Sequence, residues 1–110
     1  MARSHLPRFS SRWGSVAVAG DSMAPTYRSG DWLVVRWKGP FRANQVVVVE
    51  REDHPGVFLI KRLLRIEGGR YWVEGDNKSL STDSRVWGAI APEEVAGRVL
   101  LRYRRASNSR

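Results

Sequence analysis

"VAVAGDSMAPTYRSGDWLVV" occupies residues 16–35. Small and β-branched residues run to a break at Gly20. A polar corner, Asp21-Ser22, follows, then Pro25, and a second apolar run starts at Trp32. Apolar β-type runs separated by Gly, Pro and Asp read as strand, turn, strand, so the chain is β in character here. The same stretch raises a chemical question, because it sets Ser22 at a tight corner between Gly20 and Pro25. Gly, Asp, Ser and Pro are ordinary turn residues, which makes Ser22 simply polar. Alternatively, the turn aims its hydroxyl as a nucleophile. The stretch by itself leaves both open.

The pattern continues outward. Residues 16–19, 32–37, 46–51, 57–66, 71–74 and 98–104 are rich in Val, Ile, Leu, Trp and Tyr. Turn residues punctuate them at Gly30-Asp31, Gly39-Pro40, His54-Pro55-Gly56 and Gly68-Gly69. Residues 92–96 suit one helical turn that Gly97 ends. Short strands and tight turns predict a compact, mostly-β domain, a folded sheet or barrel with little helix. The domain is expected over residues 16–104. A basic segment over 1–15 precedes it, with residues 1–13 loosely ordered, and a disordered tail over 105–110 follows.

The 110 residues suffice for one domain with one core. The longest apolar runs, 46–49 and 57–60, fall far short of the roughly 20 residues of a bilayer-spanning helix, so no transmembrane segment is expected. No secretory signal is visible, and the default compartment is the cytoplasm. Cysteine is absent, which excludes disulfides and thiol chemistry. The net charge of +8 equals the arginines of the two ends. These are Arg3, Arg8 and Arg12 at one end and Arg98, Arg102, Arg104, Arg105 and Arg110 at the other. Residues 16–97 balance eleven bases against eleven acids. Basic ends suit nucleic acid, an anionic membrane surface or an acidic protein, or serve as solubilising tails. Arginine outnumbers lysine sixteen to three, which singles out Lys38, Lys61 and Lys78.

Read as a strand, "VFLIKRLLRI" (57–66) puts Lys61 on the face of Val57, Leu59 and Leu63. An edge lysine can snorkel to water from such a position. A buried one loses stability in its charged form, its pKa falls, and it becomes a usable general base. Serine and lysine form a known nucleophile–base pair. The loop "GDNKSLSTDSR" (75–85) lacks the carboxylate spacing of an EF-hand and the glycines of a P-loop. It is crowded with hydroxyls at Ser79, Ser81, Thr82 and Ser84, any of which can fix a buried amine.

In this order, "GDSMAPTY", "IKRLLRIEGG" and "EGDNKSLSTDSRVWGAI" resemble the conserved boxes of the type I signal peptidase superfamily of serine–lysine proteases. The resemblance covers residues 16–99. By position it implies that Ser22 is the nucleophile, Lys61 the general base and Ser81 the hydroxyl that orients the lysine. Arg62, Asp76, Asp83 and Arg85 match charged residues that brace the site. The Ser22 N–H becomes one oxyanion donor. Some relatives place a serine two residues before the nucleophile as the second donor. Gly20 stands here, and its backbone is the candidate instead. The strand-like segments beside the dyad, 14–19 and 58–60, suit an extended peptide adding as a strand, against Ala17, Ala19, Leu59 and Ile60. The resemblance implies pockets for small side chains. No cofactor or metal is expected.

The short, anchorless core is most similar to a soluble branch, the nickel-type superoxide dismutase maturation proteases. That resemblance implies a serine endopeptidase whose partner is the dismutase precursor, trimmed of its N-terminal extension. One alternative is signal-peptidase-like processing of secretory precursors, with peripheral membrane contact through tryptophans and basic tails. Another is a non-enzymatic nucleic-acid-binding or repressor module. The balanced body offers no basic stripe for it, so no nucleic-acid partner is expected.

Overall fold

Residues 46–49 are four valines in succession, and all four are buried. Successive strand residues face opposite sides, so such a run needs a core on each side of the sheet. The computed structural model, which describes residues 2–4 and 12–107, supplies two cores. The strands are β1 (Ala2–Ser4), β2 (Trp13–Val18), β3 (Trp32–Trp37), β4 (Val46–Glu50), β5 (Phe58–Glu67), β6 (Arg70–Glu74) and β7 (Val95–Arg104). The helix α1 is a single turn over Ser84–Trp87, and 3-10 turns occupy Lys78–Leu80 and Pro92–Glu94. The expected mostly-β architecture with little helix is what the chain adopts.

All ladders are antiparallel, in the order β1-β2-β3-β7-β4-β5-β6. A further pairing, Ala2 with Phe58, joins β1 to β5 and closes six of the strands into a ring. Val16, Val18, Leu33, Val35, Val46, Val48, Ile60 and Val99 make up one core with Met23 and Trp37. The other core holds Val47, Val49, Leu63, Val73, Ile90 and Val95, with Leu59 and Trp87 packed against it. β5 is long enough to pair with β4 over its first half and β6 over its second. Its alternation sends Ile60 into the first core and leaves Lys61 between Leu59 and Leu63 on the side of the second.

Three expectations change. Ala2–Ser4 is a paired strand rather than loosely ordered chain, while residues 5–11 lie outside the described residues. The polar loop over 75–85 contains a 3-10 turn and α1, whose N-terminus is capped by Asp83 accepting from the Arg85 N–H. The tail is pinned at Ala106, whose N–H donates to Asp31 at 2.7 Å, and residues 108–110 lie outside the described residues.

Candidate active site

Ser22 sits on the turn that leaves β2. Gly20 takes φ 87°, a left-handed conformation that suits glycine and sharpens the corner. Met23, 1% exposed, drives the turn into the first core and anchors it there. The loop after β6 then holds the turn from the other side. The Asn77 N–H donates to Ser22 O at 2.9 Å, and Asn77 Nδ2 to Asp21 O at 3.0 Å. The Asp76 N–H points at Met23 Sδ at 3.3 Å, and Thr26 Oγ1 donates to Asp76 Oδ2 at 2.5 Å. Arg62 closes the clamp through Nε and Nη2, each 2.9 Å from one Asp76 oxygen. That two-pronged bond, with the Thr26 hydroxyl adding to it, holds the Asp76 carboxyl below its ordinary range.

Lys61 is 3% exposed. Its Nζ donates to Ser81 Oγ at 2.8 Å, and Ser81 Oγ donates in turn to Asp83 Oδ2 at 2.7 Å. Desolvation pushes the lysine pKa down; Asp83 opposes the shift and Arg85 assists it. Asp83 is fully buried. Burial alone would raise its pKa. The bonds from Arg85, from Ser81 and from the Gly75 and Arg85 N–H groups outweigh that and hold it well below the ordinary carboxylate value. The result is a line of contacts, Arg85 to Asp83 to Ser81 to Lys61, that starts in solvent and ends at a dehydrated amine.

Gly75 joins the two halves. A β-carbon there would meet Ser81 Oγ and stand 2.6 Å from Ser22 O. The Ser22 carbonyl and the Ser81 hydroxyl therefore both crowd the place a side chain at residue 75 would take, and none fits there. Lys61 spends its hydrogen bond on Ser81, and Ser22 Oγ is not among its partners in the described residues.

The remaining expected residues fall as follows. The Ser22 N–H has no hydrogen-bond partner among the described residues. The Gly20 N–H is engaged, donating to Ser29 Oγ at 3.2 Å. Ala17 and Leu59 are half-buried and Ala19 is exposed. Ile60 is packed in the first core at 1% exposure, so only its main chain could touch a peptide. Thr26, Asn77, Met23 and Gly75 clamp the site without having been singled out. Their contacts span about fifty residues of sequence, and the one available signal was their place inside the quoted boxes.

β1 lies against the two segments expected to bind a peptide strand. Ala2, Arg3 and Ser4 pair with Val18, Ala17 and Val16 of β2, and Ala2 pairs with Phe58 of β5. The space between β2 and β5 thus takes an extended backbone. β1 runs antiparallel to both walls, so its chain leads away from the Ser22 end of β2.

The Peptidase S24-like family matches residues 4–99. Mitochondrial inner membrane protease subunit 1 of Xenopus tropicalis is 31% identical over 111 residues, covering 79% of this chain and 66% of that protein. The human subunit 1 is 26% identical over 113 residues, covering 81% and 68%. Thylakoidal processing peptidase 1 of Arabidopsis thaliana is 34% identical over 77 residues, 67% of this chain and 22% of the relative. The chain thus spans about two thirds of the length of the inner membrane protease subunits and about a fifth of the thylakoidal enzyme. With its fold, its serine- and lysine-bearing boxes brought together, and a match over nearly the whole chain, this protein belongs to the Peptidase S24-like family.

Proposed function

We propose that this chain is a serine endopeptidase with Ser22 as nucleophile and Lys61 as general base. One observation carries the reading: Lys61, buried and with its pKa depressed, is bonded to Ser81 at the point where Gly75 links Ser81 to the Ser22 turn. Neutral Lys61 takes the Ser22 proton as Oγ attacks the scissile carbonyl. Charge develops on the carbonyl oxygen, where the free Ser22 N–H is available to donate. The C–N bond breaks, and the departing amine takes the proton back from Lys61. Water, deprotonated by the same lysine, then hydrolyses the acyl ester. Ser81 holds the amine in place, Asp83 holds Ser81, and Arg85 keeps Asp83 ionised. Arg62 and Asp76 hold the turn. A second oxyanion donor from Gly20 requires its N–H to leave Ser29.

The substrate we propose is the N-terminal extension of a nickel superoxide dismutase precursor, entering as a strand between β2 and β5 with small side chains before the cut. Its support is the resemblance of the quoted boxes to that branch, with a single hairpin and no inserted domain between Lys61 and Gly75. A new N-terminal histidine would supply the dismutase with an amine for nickel. The test mixes the two purified proteins and sequences the dismutase N-terminus. A fragment beginning with histidine, absent with Ser22→Ala, is expected. The second reading, processing of membrane-targeted precursors, is favoured by the names of the relatives. An uncut dismutase precursor alongside a processed secretory precursor would select it.

A further inference from the structure

Lys38 was singled out by composition and takes no part in the site above. It follows β3 with φ 69°, a region that residues bearing a β-carbon seldom adopt. Its N–H is fixed on Ala96 O at 2.8 Å. Together with Arg36, Arg42 and Arg98 it surrounds a concavity of about 110 Å³ beside Gly39 and Pro40. Arg36 and Arg98 stand directly opposite each other in the β3–β7 ladder, an arrangement that like charges disfavour. Among the described residues, no carboxylate lies within ion-pair distance of any of the four. The acids of the balanced body are placed elsewhere: Asp76, Asp83, Glu74, Glu94 and Asp31 are all committed to other bases.

The same sheet face carries apolar groups. Trp13 pairs with Arg36, so both point the same way. Leu101 pairs with Val34, two residues along from Arg36, and therefore shares the face. The Tyr103 hydroxyl reaches Ser15 Oγ on that face at 2.6 Å. Trp13, Leu101 and Tyr103 are 38%, 51% and 47% exposed. Large apolar side chains beside a cluster of uncompensated cations are what a bilayer interface with anionic headgroups accommodates. The rings and the leucine sit at headgroup depth while the cations meet phosphate. A nucleic-acid backbone would satisfy the cations but leave Leu101 with nothing to cover it.

We propose that the outer face of β2, β3 and β7 is a docking surface for an anionic phospholipid membrane, with lipid phosphate held by Arg36, Lys38, Arg42 and Arg98. The proposal does not rest on the peptidase reading. It is tested by co-sedimentation of the full chain with vesicles of phosphatidylcholine alone or mixed with phosphatidylglycerol. Binding to the mixed vesicles, reversed by high salt, is expected. Arg36→Gln, Arg98→Gln and Lys38→Asn should each weaken it about five-fold, and asparagine tolerates the left-handed backbone at residue 38. Trp13→Ser should weaken binding at unchanged charge, and peptide hydrolysis in solution should stay as in wild type. Circular dichroism checks that each variant folds. Absence of binding to the mixed vesicles would overturn the proposal. So would variants that bind like wild type, since the termini would then carry the attraction. Inorganic phosphate binding without vesicle binding, or an oligonucleotide bound tightly and indifferently to Trp13→Ser, would also overturn it.

Discussion

Lys61 is a cation that the fold has dehydrated, and the consequence for stability has a definite sign. Its folded pKa lies below the ordinary value of 10.5, so folding disfavours the protonated form. The penalty is complete below the folded pKa, shrinks as pH rises through the window up to 10.5, and vanishes above it. Lys61→Met should therefore be more stable than wild type at neutral pH, by on the order of 1 kcal/mol, or roughly 4–8 °C in Tm for a small domain. Thermal melts across pH should show the gain disappearing in alkali; a constant gain would mean that the lysine is not desolvated. Asp83 carries the opposite sign. Its lowered pKa contributes stability that is present above the unfolded value of 3.8 and lost as the solution turns acid through the folded value. Asp83→Asn weakens the bonds that the buried carboxylate accepts from Ser81 and the Gly75 N–H and should cost about 1–3 kcal/mol. Because the Asp83 charge also raises the Lys61 pKa, the same variant should move the rising limb of the pH–rate profile to lower pH. It should lower the maximum rate as well, through the loss of the Ser81 anchor. A slower enzyme with an unmoved profile would reduce Asp83 to scaffolding.

Two connections between elements govern the site. Gly75 follows β6 where Ser22 O and Ser81 Oγ leave no room for a β-carbon, so Gly75→Ala must displace Ser81 or the Ser22 turn. Overpacking of this kind costs about 1–3 kcal/mol. Peptide hydrolysis should fall at least tenfold, with kcat affected more than KM, which steady-state kinetics will report. The second connection is β1. Under the proposed function it fills the strand-accepting space between β2 and β5. A chain lacking residues 1–5 should show a lower KM for an extended peptide, and an unchanged KM would mean that peptides bind elsewhere. These two elements also show where the sequence was legible. Strands β3 to β5 announce themselves because β-branched runs between glycine and proline turns carry their own period. So does Lys61, whose neighbours Leu59 and Leu63 share its face. β1 is three residues with no pattern, paired through contacts more than ten residues away. α1 is one turn capped by Asp83 in a stretch whose serines and asparagine read as loop. The meeting of Lys61 with Ser81, and of the Ser22 turn with the loop at Gly75 and Asn77, is long-range, and no spacing rule delivers it.

At the scale of the whole molecule, one sheet separates two cores and gives each strand face a job. The ring encloses the first core and anchors Met23 beneath the Ser22 turn. The second core buries the Lys61 face of β5 beneath the loop that carries Ser81 and Asp83. The Lys61 amine is thereby kept from water by hydrophobic packing, and the ion pairs at Asp76 and Asp83 hold the surrounding loops in place. We propose that this arrangement makes Lys61 the base for Ser22. The most direct measurement is the pH dependence of kcat/KM for hydrolysis of an alanine-rich peptide by wild type and Lys61→Arg. The wild-type rate should rise with pH to a plateau whose midpoint lies below 10.5. The folded arginine variant should be slower by about 100- to 10,000-fold at every pH, because its guanidinium keeps its proton. Appreciable turnover by Lys61→Arg, or a wild-type rate that falls from acid to neutral pH, would rule out Lys61 as the base.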